Sequence, residues 1–201
     1  QPSYQFIKAL LNKEEGLHID KDHFMTISPD EGSMNRAIYL ANVLGVDMGM
    51  YYKRLDYSRY VNGRHPIAAY EFLGPKIEGK DMILIDDMIS SGDTIIKIAS
   101  LLKEKGAGRV YICSTFGFFT DGLDKFDDAY KKGYFDKLLT TNLVYQSPEL
   151  LEKPYYISCD MSKYIALIID TLNHDTSVSH LLNPVDRIKR CVANYMSQYE
   201  K

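Results

Sequence analysis

Apolar residues along this chain fall into short continuous runs that alternate with segments of helical spacing. The runs predict strands at residues 24–27, 47–52, 82–85, 110–113, 138–143 and 155–158, with an edge strand or hairpin arm at 67–73. Helical spacing predicts helices at 4–12, 36–44, 94–105, 122–130, 161–172 and 184–195, and a short closing segment at 178–182. The alternation predicts an α/β fold with an open, mainly parallel sheet and helices on both faces.

The most informative stretch is residues 82–94, where an apolar run ends in two adjacent acids, Asp86 and Asp87. A small polar turn containing Gly92 follows, and a helix begins near Thr94. Ligands of open α/β sheets usually bind at the carboxyl ends of the strands. Turn and helix N–H groups attract phosphate, and carboxylates accept hydrogen bonds from sugar hydroxyls. The stretch therefore predicts a site for a phosphorylated pentose; an ordinary helix cap explains Thr94 but not the two acids.

A second strand, loop and helix unit surrounds the sequence Ser-Pro-Asp-Glu-Gly-Ser at residues 28–33. Gly32 and Ser33 leave room for ligand oxygens near the backbone, and Asp30 stands where a carboxylate could hold a metal ion. A helix start in which Asp30 or Ser33 merely caps is the simpler alternative. The acids at 86–87 favour the ligand-binding interpretation.

Residues 55–65 show little apolar periodicity and predict an exposed, mobile loop. Five side chains on or just before it are cationic or titrate to a cation: Lys53, Arg54, Arg59, Arg64 and His65. They could close over a charged transition state, although a solvated loop has the same composition.

Composition limits the class of protein. The 201 residues are 45% hydrophobic and 25% charged with a net charge of −3, as expected of one ordinary globular domain. The sequence has no basic stretch that would indicate nucleic-acid binding. It also lacks a long apolar segment or a signal-peptide pattern that would indicate a membrane or secreted protein, so we expect a cytoplasmic location. Cys113, Cys159 and Cys191 are expected to be reduced thiols. A start at Gln1, directly before a helical pattern, predicts that an N-terminal portion is absent.

Residues 86–94, Asp-Asp-Met-Ile-Ser-Ser-Gly-Asp-Thr, resemble the phosphoribosyl-binding signature of the type I phosphoribosyltransferase fold. Residues 28–33, Arg36-Ala37, Lys53-Arg54 and residues 78–80 precede it in the order found in ribose-phosphate diphosphokinases, also called phosphoribosyl diphosphate synthetases. Residues 178–182 are similar to the closing segment of that family. The resemblance covers nearly the whole chain as one domain, 1–201, and corresponds to the C-terminal half of a typical member.

This resemblance implies an enzyme that transfers the diphosphoryl group of ATP to ribose 5-phosphate with Mg²⁺, giving 5-phosphoribosyl 1-diphosphate and AMP. It also implies a homo-oligomer. The implied ribose 5-phosphate contacts are Asp86 and Asp87 to the hydroxyls, and Ser90, Ser91, Gly92, Asp93 and Thr94 to the phosphate. Asp30 would contribute to the metal site, with Gly32 and Ser33 in the diphosphate loop. Lys53 would stabilise the transferring group, assisted by Arg54, Arg59 or Arg64.

The chain departs from the family pattern at its phosphate loop. Ser90 and Ser91 stand where an acid and a threonine are usual, and Asp93 replaces a small residue. We expect the Asp93 carboxylate to cap the following helix rather than face a phosphate. The family's main ATP contacts would lie outside this chain, so the fragment alone is expected to be inactive. Two alternatives remain: a phosphoribosyltransferase that consumes 5-phosphoribosyl diphosphate, and a non-catalytic regulatory homologue.

Overall fold

A single sheet organises the computed structural model, which describes residues 2–60, 63, 65 and 67–198. Its strands are β1 (Phe24–Ser28), β2 (Asp47–Leu55), β3 (Ile67–Leu73), β4 (Asp81–Ile89), β5 (Val110–Gly117), β6 (Lys137–Thr141) and β7 (Tyr156–Cys159). They lie in the order β3-β2-β1-β4-β5-β6-β7. Each neighbouring pair is parallel except β2 and β3, which form an antiparallel hairpin at one edge.

Helices cover both faces of this sheet. They are α1 (Ser3–Leu11), α2 (Met34–Leu44), α3 (Asp93–Glu104), α4 (Asp124–Lys131), α5 (Pro148–Leu151), α6 (Ser162–Asn173), α7 (Ser179–Leu182) and α8 (Val185–Met196). Successive strand residues point to opposite faces. In β4, Ile83 and Ile85 pack with α1, α2 and α8, whereas Met82 and Leu84 pack with α3, α4 and α5. The predicted open, mainly parallel sheet with helices on both faces is confirmed.

Most predicted elements form within a few residues of their expected bounds, and the exceptions have local causes. Helix α5 was not expected; Pro148 occupies its first turn and the Ser147 hydroxyl accepts a hydrogen bond from the Leu150 N–H at 3.2 Å. Strand β2 continues to Leu55 because its outer half pairs with β3. The three cysteines are free thiols, as expected.

The connections place a topological switch point between β1 and β4. The chain leaves β1 for β2 on one side and then crosses to β4 on the other side. Pairing between β1 and β4 stops at Ile27 and Leu84, whereas β4 continues beside β5 as far as Ile89. Residues 85–89, more than half of β4, therefore lack a neighbour on the β1 side. This opening lies at the carboxyl ends of the strands, the usual position of ligand sites in such sheets.

No helix among the described residues combines the length and the apolar character needed to cross a membrane.

Candidate functional site

A cavity of about 330 Å³ occupies the opening between β1 and β4. It is lined by Asp30, Gly32 and Ser33 from the loop after β1 and by the continuous segment 86–95 from β4 to the first turn of α3. The structure therefore brings the two predicted loops, which lie more than fifty residues apart in the chain, to one site. Asp86 and Asp87 lie within β4 rather than after it, because pairing with β5 prolongs the strand.

Asp86 is the most buried acid of this cavity. Its Oδ1 accepts hydrogen bonds from the Ser33 hydroxyl at 2.5 Å and from the Asp87 N–H at 2.8 Å. Burial raises the pKa of Asp86 to about 6, against the opposing effect of those two hydrogen bonds. Asp86 is the one acid of the cavity without a basic partner among the described residues. Its carboxylate can accept hydrogen bonds from a ligand's hydroxyl groups.

Asp87 is paired with a cation that the sequence did not assign to the site. Its Oδ2 lies 3.3 Å from Nη2 of Arg36, in the first turns of α2. Arg36 follows Ser33 by three residues, a spacing that places both on one side of a helix start. This spacing could have indicated that Arg36 belongs to the site, because Ser33 contacts Asp86 and Arg36 contacts the adjacent Asp87.

Asp30 and Lys53 form a third contact across neighbouring strands. Lys53 Nζ lies 3.2 Å from Oδ2 of Asp30, and Oδ1 of Asp30 accepts the Gly32 N–H at 3.0 Å. Among the described residues no group of three or more His, Cys, Asp and Glu side chains could hold a metal ion by themselves. Mg²⁺ commonly takes one or two carboxylates together with substrate phosphates, so the carboxylates of this cavity fit that ion.

The predicted phosphate loop, residues 90–94, turns at Gly92 with a φ of +84° and leads into α3. A side chain at Gly92 would place its Cβ 2.6 Å from Cε2 of Phe126 on α4 and closer still to Cζ. Both the backbone conformation and this contact require glycine. Thr94 and Ile95 of the first turn of α3 line the cavity, and N–H groups at such a helix start can bind an anion.

Asp93 does not cap α3, contrary to the expectation from the sequence. The Asp93 carboxylate accepts no hydrogen bond from a backbone N–H of α3, and the Asp93 N–H donates to the Ser91 hydroxyl at 3.4 Å. Instead, Oδ1 of Asp93 lies 2.8 Å from Nζ of Lys125 on α4, and Oδ2 accepts the Ser91 hydroxyl at 2.9 Å. These contacts, the one with Lys125 first, hold the pKa of Asp93 below its ordinary value. An ion pair with another helix therefore replaces the local cap.

Of the predicted cationic side chains that the structure describes, Lys53 on β2 contacts an acid of the cavity, Asp30. Side chains alternate along β2, so Lys53 and Arg54 point to opposite faces. Arg54 pairs with Glu71 of β3, Nε to Oε1 at 2.8 Å. Arg59 lies in an exposed turn near His65, whose Nδ1 is 2.7 Å from the Arg59 carbonyl oxygen. Arg64 lies outside the described residues. The catalytic roles of these arginines stay predictions.

The segment after β5 contacts the predicted phosphate loop, and the sequence did not indicate this contact. The Thr120 N–H donates to the Ser90 carbonyl at 3.1 Å, and the two hydroxyls lie 3.4 Å apart. Lys125, one turn further on, also pairs with Asp121 at 2.9 Å. The segment after β5 thus holds the phosphate loop from outside. The contacts join residues about thirty positions apart, and no local motif indicated them.

The sheet order, the switch point and the loop after β4 define a type I phosphoribosyltransferase-like fold. The crystal structure of phosphoribosylpyrophosphate synthetase from Mycobacterium smegmatis shares it, with a TM-score of 0.67 and 21% identity over 86% of this chain and 51% of that one. A family model described as the phosphoribosyl synthetase-associated domain matches residues 64–183, more than half of the chain. The chain belongs to this family. The resemblance to ribose-phosphate diphosphokinases is thereby confirmed.

Curated relatives carry the equivalent name ribose-phosphate pyrophosphokinase. The protein from Vibrio parahaemolyticus is 29% identical over 163 residues, which are 81% of this chain and 49% of that protein. The protein from Thermococcus kodakarensis is 31% identical over 121 residues, 60% of this chain and 39% of that protein. This chain therefore spans about half the length of the curated relatives it matches. The family match ends at residue 183, before helix α8 begins.

Proposed function

We propose that this domain takes part in the synthesis of 5-phosphoribosyl 1-diphosphate from ribose 5-phosphate and ATP. One observation carries the proposal: the acids and predicted phosphate loop of β4 share a single cavity with the loop after β1, and Lys53 pairs with Asp30 of that loop. A sugar phosphate needs both parts of the β4 site, because its hydroxyls and its phosphate are chemically different. The names of the relatives support the same reaction.

The β4 side of the cavity would orient ribose 5-phosphate. Asp86 and Asp87 would accept hydrogen bonds from the ring hydroxyls, and the N–H groups at 90–94 would bind the 5-phosphate. Holding the sugar at both ends would fix its anomeric hydroxyl toward the Asp30 side. Orientation of this kind accounts for a large part of the rate enhancement in bimolecular transfers.

The β1 side would handle the diphosphoryl group. The anomeric oxygen forms a bond to the β-phosphorus of ATP while the bond from that phosphorus to the α-phosphate oxygen breaks, releasing AMP. Such transfers depend on positioning and charge neutralisation and use no covalent nucleophile. Lys53 would supply positive charge, and the Gly32 region would allow close approach of phosphate oxygens. Mg²⁺, when bound through Asp30, would neutralise further phosphate charge.

Replacing Lys53 by alanine tests this assignment against Arg54. In the full-length protein, we expect Lys53→Ala to lower the rate of AMP formation from ATP, ribose 5-phosphate and Mg²⁺ by about 100-fold, since it removes a cation from the transferring group. Arg54→Ala, the matched control, points to the other face and should change the rate by less than about threefold. Chromatographic measurement of AMP gives both rates. Equal losses in the two variants would contradict the assignment.

The same assay separates the alternatives. Base-dependent release of diphosphate from 5-phosphoribosyl diphosphate would indicate a phosphoribosyltransferase. Binding of ribose 5-phosphate without either reaction would indicate a non-catalytic homologue. AMP formation that requires ribose 5-phosphate supports the proposed synthesis.

We also propose that the domain self-associates through α6. Thr171 is the one residue of this helix that is buried, whereas Ile165, Ile169 and Leu172 form an exposed apolar stripe at helical spacing. Ile169→Asp is expected to lower the oligomeric mass measured by light scattering after gel filtration. Lys163→Asp, on the opposite side of α6, should leave the mass unchanged. A parent protein that is monomeric at all concentrations would overturn this proposal.

A further inference from the structure

A carboxylate inside a proposed phosphate loop presents an electrostatic problem. Asp93 occupies the first turn of α3, where free N–H groups and the helix dipole attract negative charge. Its own carboxylate could satisfy those donors and would repel an incoming phosphate. The anion affinity of the loop therefore depends on where this side chain is held.

The structure holds it with two contacts that use both of its oxygens. Lys125 Nζ lies 2.8 Å from Oδ1, and the Ser91 hydroxyl donates to Oδ2 at 2.9 Å. The Asp93 carboxylate thus faces α4 instead of the N–H groups that open α3. Its charge is also compensated by the ammonium group beside it.

Lys125 is itself fixed in this position. Its ammonium also contacts Oδ2 of Asp121 at 2.9 Å, and Oδ1 of Asp121 accepts the Thr120 hydroxyl at 3.2 Å. The next residue of α4, Phe126, packs against Gly92 at the turn of the loop. The helix that carries the cation is therefore docked directly on the phosphate loop.

We infer that Lys125 is a positioning residue that keeps the loop competent to bind phosphate by holding and neutralising Asp93. This inference rests on the proposed function, because it concerns the phosphate of the same ligand. The ion pair is largely exposed, with 42% of the Lys125 side chain and 67% of the Asp93 side chain accessible. Exposed ion pairs contribute little to folding stability, so we expect the loss of Lys125 to change the anion affinity of the loop rather than the stability of the protein.

A double-mutant cycle measured by titration calorimetry with ribose 5-phosphate tests the inference. Lys125→Ala should weaken binding about tenfold, the effect expected of one uncompensated charge close to the ligand. Asp93→Asn should bind at least as tightly as the parent protein. The double variant should match Asp93→Asn, because Lys125 has no function once the carboxylate is gone. Lys125→Arg should restore most of the affinity.

The control is Lys131→Ala, which removes another cation of α4 that pairs only distantly, at 3.9 Å, with Asp128. It should leave the affinity unchanged, and thermal melting should show all variants folded. Equal weakening in Lys125→Ala and in the double variant would mean that Lys125 contacts the ligand directly, and unchanged affinity in Lys125→Ala would mean that it has no role. Either result overturns the inference.

Inorganic phosphate, titrated into the same variants, separates this inference from the proposed function. If the variants bind inorganic phosphate with the predicted order of affinities but do not bind ribose 5-phosphate, the proposed function alone is overturned. Binding of ribose 5-phosphate without the pattern would overturn the inference alone. A parent protein that binds neither probe would overturn both.

Discussion

Asp86→Asn is expected to weaken binding of ribose 5-phosphate strongly and, at the same time, to stabilise the protein at neutral pH. The amide keeps an oxygen for the hydrogen bonds from Ser33 and the Asp87 N–H. It lacks the negative charge that would accept strong hydrogen bonds from sugar hydroxyls. We expect the affinity to fall by roughly 100-fold or more, the loss of a charged hydrogen bond in a buried site.

The gain in stability follows from the pKa of Asp86. The unfolded chain releases this proton near the ordinary value of 3.8, whereas the folded protein retains it up to about 6. Between these values the folded state binds more protons, so the free energy of unfolding of the parent protein falls as the pH rises. Above about pH 6 the penalty is fully present. Asp86→Asn avoids it and should be more stable by roughly 1–3 kcal/mol.

Urea unfolding between pH 4 and 8 measures this effect. The advantage of Asp86→Asn should be small at pH 4 and grow to its full size above pH 6. Asp87→Asn is the matched control: it leaves Arg36 without its carboxylate and relieves no buried charge, so it should lose affinity without gaining stability. A stability advantage of Asp86→Asn that did not vary with pH would show that burial of the charge is not its cause.

The sequence predicted the parts of the site that are determined locally. Two acids at the end of an apolar run, and a small turn before a helix, indicated the β4 loop without any tertiary information. The parallel α/β pattern then placed the loop after β1 at the same edge of the sheet. Asp30, Ser33 and Asp86 meet for that reason.

The parts of the site that the sequence did not predict depend on contacts between separate helices and strands. Arg36 and Lys125 reach the site from α2 and α4, and their acidic partners are 51 and 32 residues away in the chain. Asp93 had a sound local interpretation as a helix cap, but an ion pair with Lys125 prevailed. Arg54 points away from Lys53, since adjacent residues of a strand face opposite sides of the sheet, and its catalytic role stays a prediction.

The acids of the cavity are matched by cations from different elements. Asp30, Asp87 and Asp93 are paired with Lys53, Arg36 and Lys125 respectively, and Asp86 is left with a raised pKa. The site therefore carries little net charge before a ligand arrives. The proposed phosphate ester would meet less repulsion than four carboxylates would suggest, while the buried Asp86 carboxylate would remain to bind its sugar.

Gly92→Ala is expected to cause the largest loss of stability. Alanine must adopt a φ of +84°, and its methyl group would overlap the ring of Phe126, which is fully buried against α3 and the sheet. Backbone strain and overpacking together should cost roughly 2–4 kcal/mol. For a chain of this length the melting temperature should fall by roughly 5–15 °C.

Gly133→Ala separates the two causes. Gly133 also has a positive φ, +71°, but a side chain there would meet nothing within 4 Å. This control should therefore cost about 1 kcal/mol, the backbone term alone. The additional loss of stability in Gly92→Ala, relative to Gly133→Ala, measures the contact with Phe126 that packs α4 against the predicted phosphate loop. Displacing that contact should also weaken binding of ribose 5-phosphate in calorimetry, whereas Gly133→Ala should bind normally. Equal melting temperatures for the two variants would show that α4 does not support the loop.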